Sequence, residues 1–518
     1  SNDLSRLAPM GTSCPDHFLR TKISPLVLDL AIDADLTDGN FVKSSLTPAF
    51  EAYRAMYTEY YENCKHSNSP AIRDTNPVVI LYPGVGMFTF AKDKSTARVA
   101  AEFYINAINV MRGAEAVSEY VSLPLQEAFD IEYWLLEEAK LSRMPKEKPL
   151  SRKIALITGS AGGIGKGIAE RFVQEGACVV LTDIDQERLN GAVTEFEKKY
   201  GKDAVLGARL DVTNTESLAE AIQATCLKFG GIDIVVNNAG ISISRAFEDH
   251  TQSDWDRLND ILVMGQYHVS KVGVDLMRQQ GLGGDIVNVV SKNALVAGPK
   301  NVAYGTAKAA QAHMTRLMAA ELGKDKIRVN TVNPDAVLRG SKIWEGEWAE
   351  GRAKAYGITV EELPAYYAKR TLLNEIILPE DIANACFAYV GGLLNTAGTS
   401  STAGRASFSG GITVASANVN TIDNVVVVNA SSLAATSISG ITNITNATAS
   451  SSTTTGALTV SGGVGIAGST NIGGATTMAS SLTVGGATTL NSISFGTTPA
   501  TNNNSTQLAT TAYVMNTL

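Results

Sequence analysis

Ile154-Ala155-Leu156-Ile157-Thr158-Gly159-Ser160-Ala161-Gly162-Gly163-Ile164-Gly165-Lys166 is the stretch that decides how this chain reads. Four apolar residues predict a short buried strand, and the glycine-rich turn after them opens a helix over 166–175. Gly159, Gly163 and Gly165 let the backbone turn sharply and, with Ile164, let a pyrophosphate approach the helix N-terminus. Free N–H groups and the helix dipole stabilise negative charge there. The next strand, Cys178-Val179-Val180-Leu181, leads to Asp183, about 18 residues beyond the last of these glycines. A carboxylate at that strand end can accept both ribose hydroxyls and repels a 2′-phosphate. No Arg or Lys stands among Ser160, Ala161 and Gly162 to hold such a phosphate, so NAD is expected rather than NADP.

Further along, Ile232-Asp233-Ile234-Val235-Val236 and Ile286-Val287-Asn288-Val289-Val290 continue the alternation of apolar strands with amphipathic helices. That pattern predicts an α/β fold, a Rossmann-type doubly wound parallel sheet covered on both faces. Ser291 ends the last of these strands, and Tyr304 and Lys308 follow four residues apart, on one face of a helix. An ammonium beside a phenol stabilises tyrosinate and draws its pKa towards neutrality, which suits acid–base work. Ser291 can donate a hydrogen bond to a carbonyl oxygen. A Tyr/Lys pair at this spacing is common on helices, and its weight comes from the set to which it belongs.

That set is Thr158-Gly-xxx-Gly-x-Gly165, Asp211-Val212, Asn237-Asn238-Ala239-Gly240, Ser291 and Tyr304-xxx-Lys308, in order. Over about 240 residues it resembles the short-chain dehydrogenase/reductase family. The resemblance implies an enzyme with Tyr304 as general acid/base, Lys308 bonding the nicotinamide ribose, and Ser291 orienting the substrate. Asp211 and Val212 would meet the adenine, Asn238, Ala239 and Gly240 would line the cofactor, and Asn237 would steady the central strand. Three departures stand out. Leu262 occupies the usual Asn position before Gly265, leaving Asn259 one turn earlier to hold a relay water differently. Asp335 and Arg339 replace a glycine and a nicotinamide-contacting threonine after Val332-Asn333-Pro334. The family's last strand is missing, with Val425–Val428 a speculative substitute. An exposed edge is the expected consequence.

The segment from Asp335 to Tyr367 would form the substrate lid, with Trp344 and Trp348 as core anchors or ligand contacts. It resembles the dehydrogenase half of bifunctional rhamnulose-1-phosphate aldolase/lactaldehyde dehydrogenases. So does the N-terminal stretch, through Ser13-Cys14-Pro15-Asp16-His17-Phe18-Leu19-Arg20-Thr21-Lys22, Tyr82-Pro83-Gly84-Val85-Gly86-Met87 and Ile131-Glu132-Tyr133-Trp134. None of the five histidines forms an HxH pair, so 1–148 reads as a partial aldolase-associated α/β region without its metal site, and His17 as structural. Within it, helices are expected over 96–111 and 125–141, and Met144–Pro149 as a linker. The expected chemistry is hydride transfer between NAD and a small hydroxy-aldehyde or alcohol such as lactaldehyde. A hydrated aldehyde would be needed for oxidation, since no reactive cysteine sits near the motif.

Three compositions share the chain. Residues 149–395 form the dehydrogenase region, whereas 396–518 hold only two charged residues, Arg405 and Asp423, in Ser, Thr, Gly, Ala and Asn. Val460-Ser461-Gly462-Gly463, Ile472-Gly473-Gly474-Ala475-Thr476-Thr477 and Val484-Gly485-Gly486-Ala487-Thr488-Thr489 recur about every 12 residues. This tail, closing on Ser505–Val514, resembles viral tail-fibre repeats. The alternative function is therefore a fibre-like structural protein, or a chimeric fragment, with an inactive dehydrogenase passenger. A homo-oligomer is expected. The net charge of −8 gives no basic field for nucleic acid, and no apolar run approaches 18 residues, so no membrane partner is expected. Five scattered cysteines and the lack of a basic-then-apolar leader suggest a reducing, cytoplasmic setting.

Overall fold

The computed structural model describes residues 3–391, except 13, 144, 342, 343, 345, 346 and 372, together with 483, 485 and 486. Apart from those last three positions, the fibre-like tail, including Val425–Val428 and the closing segment, lies outside the described residues.

The N-terminal region is built on a small sheet, β1 (Leu26–Val27), β2 (Val79–Tyr82) and β3 (Gly86–Thr89), with β1 parallel and β3 antiparallel to β2. Two long helices, Gly39–Cys64 and Lys94–Val117, dominate it. Tyr53, Tyr57, Tyr60, Tyr61 and Cys64 recur three to four residues apart and are buried together on one side of the first. Their hydroxyls need partners, and the buried Glu132 accepts from Tyr57 at 2.6 Å and Tyr60 at 3.2 Å. Burial pushes the Glu132 carboxyl up, and these hydrogen bonds oppose the shift. The single helix expected over 125–141 is instead two, Leu125–Glu132 and Leu135–Ser142. Tyr133 breaks it, because its ring is buried, stacked on Phe129 with centroids 4.5 Å apart, and its hydroxyl meets Tyr57 at 2.9 Å.

The second region is a six-stranded parallel sheet: β4 (Ile154–Ile157), β5 (Cys178–Asp183), β6 (Val205–Arg209), β7 (Ile234–Asn237), β8 (Gly284–Val289) and β9 (Ile327–Val332). Their order is β6-β5-β4-β7-β8-β9, so the chain reverses direction across the sheet after β6 and β4 sits at the switch. Both faces are covered. Ala155 and Ile157 point into one core with Ile168, Phe172, Leu189 and Phe387, and Leu156 points into the other with Leu218, Val269 and Met277. This two-sided burial is why the strands read as continuous apolar runs. The first helix starts at Gly163, three residues earlier than expected, and ends at Gln174. It packs against the helix Pro379–Val390, where Arg171 lies over the Phe387 ring at 4.5 Å. Among the described residues β6 and β9 are the outer strands. The linker is pinned at its far end: Leu150 is buried under the sheet, its N–H donates to Glu175 O at 2.9 Å, and Lys148 Nζ donates to Gln174 O at 2.6 Å.

A buried polar seam crosses the centre of the sheet. Asn237 Nδ2 donates to Ser270 Oγ at 2.9 Å and to Asn288 Oδ1 at 2.8 Å, and Asn288 Nδ2 donates to Thr315 Oγ1 at 2.8 Å. It joins β7 and β8 to the helices Gly265–Gln280 and Val302–Leu322. Replacing Asn237 with Ala strands two buried partners, so urea denaturation of Asn237→Ala is expected to read a loss of about 1–3 kcal/mol.

Candidate active site

The turn after β4 is clamped to the turn after β7. Thr158 Oγ1 accepts from the N–H groups of Asn238 and Ala239 at 2.9 and 3.0 Å, while Asn238 Nδ2 donates to Thr158 O at 3.0 Å and Gly159 O at 2.9 Å. Gly159 and Gly163 take φ of 62° and 52°, the left-handed region that glycine adopts without strain. At Gly165 space is the constraint: a Cβ there would stand 2.4 Å from Gly159 O. The helix Gly163–Gln174 thus begins at an open turn, its first N–H groups free to face an anion.

A cavity of about 1000 Å³ runs from this turn across the carboxyl ends of the strands. Its walls include Gly159, Gly163, Ile164, Asp183, Asp211, Val212, Asn238, Ala239, Gly240, Ser291, Tyr304 and Lys308. Of the residues expected to bind the cofactor or act in catalysis, Gly165 alone is not a wall residue; it is buried behind the turn and permits the close crossing. Asp183 accepts from the N–H groups of Ala161 at 3.3 Å and Asp185 at 3.0 Å. Asp211 caps its own turn, accepting from Thr213 N at 2.9 Å and Thr213 Oγ1 at 2.7 Å. The glycine turn, the free helix end and a carboxylate one strand away suit a dinucleotide, and the cavity is large enough to take one along this line.

At the other end, Ser291 follows β8 and Tyr304 and Lys308 rise from the helix Val302–Leu322. Tyr304 hydrogen-bonds Ser291. Lys308 is buried, its Nζ donating to Val289 O at 3.3 Å and lying 5.8 Å from the Tyr304 ring centre. The expectation that Lys308 draws the phenol down is not met here. Burial pushes Tyr304 up, opposed only by the Ser291 hydrogen bond, and burial pushes Lys308 down to about 7. Both shifts disfavour the charged forms, tyrosinate and ammonium alike.

The departures find local causes. Asp335 pairs with Lys292, the residue after Ser291, and Arg339 pairs with Glu380 on the helix Pro379–Val390. Asn259 is exposed and is not a cavity wall, so it does not take over from Leu262. The helix widens to a π turn over Asn259–Met264, and Leu262 O accepts from Gln311 Nε2 at 2.7 Å. The segment expected as a lid carries two helices, Glu347–Tyr356 and Leu363–Ala368, around Ala349, Ala353, Leu363 and Tyr367. Trp344 both packs edge-on to Tyr367, at 4.9 Å, and lines the cavity; the Trp348 side chain lies outside the described residues. In the N-terminal region His17 is buried and stacked on Phe103 at 4.5 Å, with Nδ1 3.5 Å from Thr12 Oγ1.

Sequence reasoning missed Arg188, whose Nη2 lies 2.5 Å from where a Cβ on Gly162 would stand. It comes from the helix Gln186–Tyr200, so a search confined to the glycine turn could not find it. It also missed Arg352, Tyr356 and Arg370 as cavity walls.

Comparison with known proteins matches two stretches of the chain. The aldolase class II, second domain family matches residues 1–141, and the short chain dehydrogenase family matches 153–347. An uncharacterized oxidoreductase of Bacillus subtilis is 40% identical over 379 residues, 73% of this chain and 55% of that protein, so the chain spans about half the length of this relative. An NAD-dependent glycerol dehydrogenase of Listeria innocua is 32% identical over 211 residues, 40% of this chain and 81% of that protein. The crystal structure of L-sorbose reductase from Gluconobacter frateurii, complexed with NADPH and L-sorbose, is 31% identical with a TM-score of 0.44, covering 47% of this chain and 92% of that one. The fibre-like alternative draws no support from these matches, and no helix among the described residues is long and apolar enough to cross a membrane. With the glycine turn, the Asn clamp and the Ser-Tyr-Lys set on one parallel sheet, and relatives of this identity and coverage, the chain belongs to the short-chain dehydrogenase family.

Proposed function

We propose that residues 149–395 act as an NAD-dependent oxidoreductase on a small hydroxy-aldehyde or alcohol such as lactaldehyde, in a cytoplasmic homo-oligomer. The carrying observation is that Ser291, Tyr304 and Lys308 meet at one end of the cavity whose other end holds Asp183. A bound nicotinamide would supply or accept the hydride. The chain's own work is proton handling: Ser291 Oγ donates to the substrate oxygen, and Tyr304 gives that oxygen a proton in reduction or takes one in oxidation. Burial raises the phenol, which favours its protonated form. Lys308, once charged and facing ribose hydroxyls, would favour the tyrosinate needed for the reverse step. Ile164 and the glycine turn would hold the diphosphate, and Asp211 and Val212 would border the adenine.

Asp183 supports NAD, as does the NAD-dependent Listeria relative. Arg188 beside Gly162 favours the opposite reading, a 2′-phosphate held against Asp183. Fluorescence titration decides between them. NADH is expected to bind more tightly than NADPH, with Arg188→Ala weakening both alike; tighter NADPH binding that Arg188→Ala abolishes would establish NADP use.

Two further outcomes are expected. Tyr304→Phe should lower lactaldehyde turnover by roughly 10²–10⁴-fold while NADH still binds, and retained turnover would remove Tyr304 from the mechanism. Because Lys308 sits near 7 when buried and ribose hydroxyls favour its charged form, binding takes up a proton. The NADH Kd should therefore rise as pH is raised above about 7, by at most about tenfold per pH unit, and Lys308→Met should flatten that profile.

A further inference from the structure

Two amides at the reacting end of the cavity carry hydrogen-bonding groups that the fold itself leaves unused. Asn293 follows Ser291 by two residues, Asn301 precedes Tyr304 by three, and both line the cavity. Asn301 stands at the start of the helix Val302–Leu322, where an Asn side chain commonly accepts from the first free N–H groups. It makes no such bond. Its Oδ1 instead accepts from Arg352 Nη2 at 3.0 Å, which fixes the amide and leaves Nδ2 on the other side. Among the described residues, neither Asn301 Nδ2 nor either end of the Asn293 side-chain amide has a hydrogen-bond partner.

Both amides face one spot. A Cβ on Gly298 would stand 3.5 Å from Asn301 Nδ2 and 3.8 Å from Asn293 Oδ1, so a donor and an acceptor flank a gap that this glycine leaves open. A hydroxyl both accepts and donates, and is a neutral group that satisfies such a pair. The backbone on either side is pinned. Asn293 N–H donates to Ser291 Oγ at 3.2 Å, and its carbonyl oxygen lies 3.4 Å from where a Cβ on Gly305 would stand, against the first turn of the Tyr304 helix. Lys300 O accepts from Ser244 Oγ and from the N–H of Arg245, both at 3.1 Å. The gap thus keeps its place beside Ser291 and Tyr304, which hydrogen-bond each other.

We propose that Asn293 and Asn301 receive a second hydroxyl of the substrate in the gap over Gly298, while its reacting oxygen meets Ser291 and Tyr304. They set specificity and do not touch the reacting atoms. This rests on the dehydrogenase reading and narrows its substrates to molecules with two oxygens, hydroxy-aldehydes or diols in place of simple aldehydes or alcohols. A substrate without the second hydroxyl displaces water from the gap and leaves both amides unpaired, so it is discriminated against.

The test is NADH-dependent turnover, by the full chain, of lactaldehyde and of propanal, which has the same carbon chain and lacks the hydroxyl. The kcat/KM for lactaldehyde is expected to exceed that for propanal by about tenfold or more. Asn293→Ala should bring the two values together. Gly298→Ala should do the same, because its methyl group fills the gap at ordinary contact distance from both amides. Loss of structure would instead lower both aldehydes alike and weaken NADH, which each variant is expected to bind as the unaltered chain does. Equal values for the two aldehydes in the unaltered chain, or a lactaldehyde preference that survives both substitutions, would overturn the proposal and leave the dehydrogenase reading standing. Bound NADH with neither aldehyde turned over would remove that reading, and this one with it.

Discussion

The crossing of two backbone turns at Thr158–Gly159 and Asn238–Ala239 is the constraint on which the rest of this structure depends. A side-chain amide and a side-chain hydroxyl bridge it with four hydrogen bonds, and Gly165 must lack a Cβ for the helix to come close enough. Because β4 lies between β5 and β7, this crossing is also where the sheet's connections part to opposite sides. The carboxyl ends of the strands splay there, and the helix Gly163–Gln174 starts with its N–H groups facing the gap. A cavity at that point follows from topology before any side chain is chosen.

Burial then sets the chemistry. Tyr304 and Lys308 share a helix face, where Lys308 is buried and Tyr304 is half-buried at the cavity wall. Desolvation opposes charge on each, so the phenol rises and the ammonium falls. Both shifts oppose the charged forms, and partners for the ammonium would offset the one on Lys308. The buried seam of Asn237, Asn288 and Thr315 stands one layer deeper, and its satisfied amides hold β7 and β8 in register beside that pair. The N-terminal region solves the same problem differently, surrounding one buried carboxylate, Glu132, with phenols.

Much of this was legible in the residues themselves. The strand–turn–helix with its glycines, the acid at the end of β5 and the Ser, Tyr and Lys at their spacing determined the sheet, the cofactor end and the reacting end, because each depends on local backbone geometry or helical period. What only the tertiary structure decided comes from residues far apart in sequence. Arg188 reaches Gly162 from the following helix, Asp335 neutralises Lys292 across two strands, and Arg352 meets Asn301 from the helix Glu347–Tyr356. The break at Tyr133 belongs here too, since a long-range hydroxyl contact with Tyr57 overrides the helical pattern of 125–141. The direction in which Tyr304 and Lys308 shift is of the same kind. Spacing brings the two side chains to one face, but how much water each keeps is settled by what the folded chain packs around them.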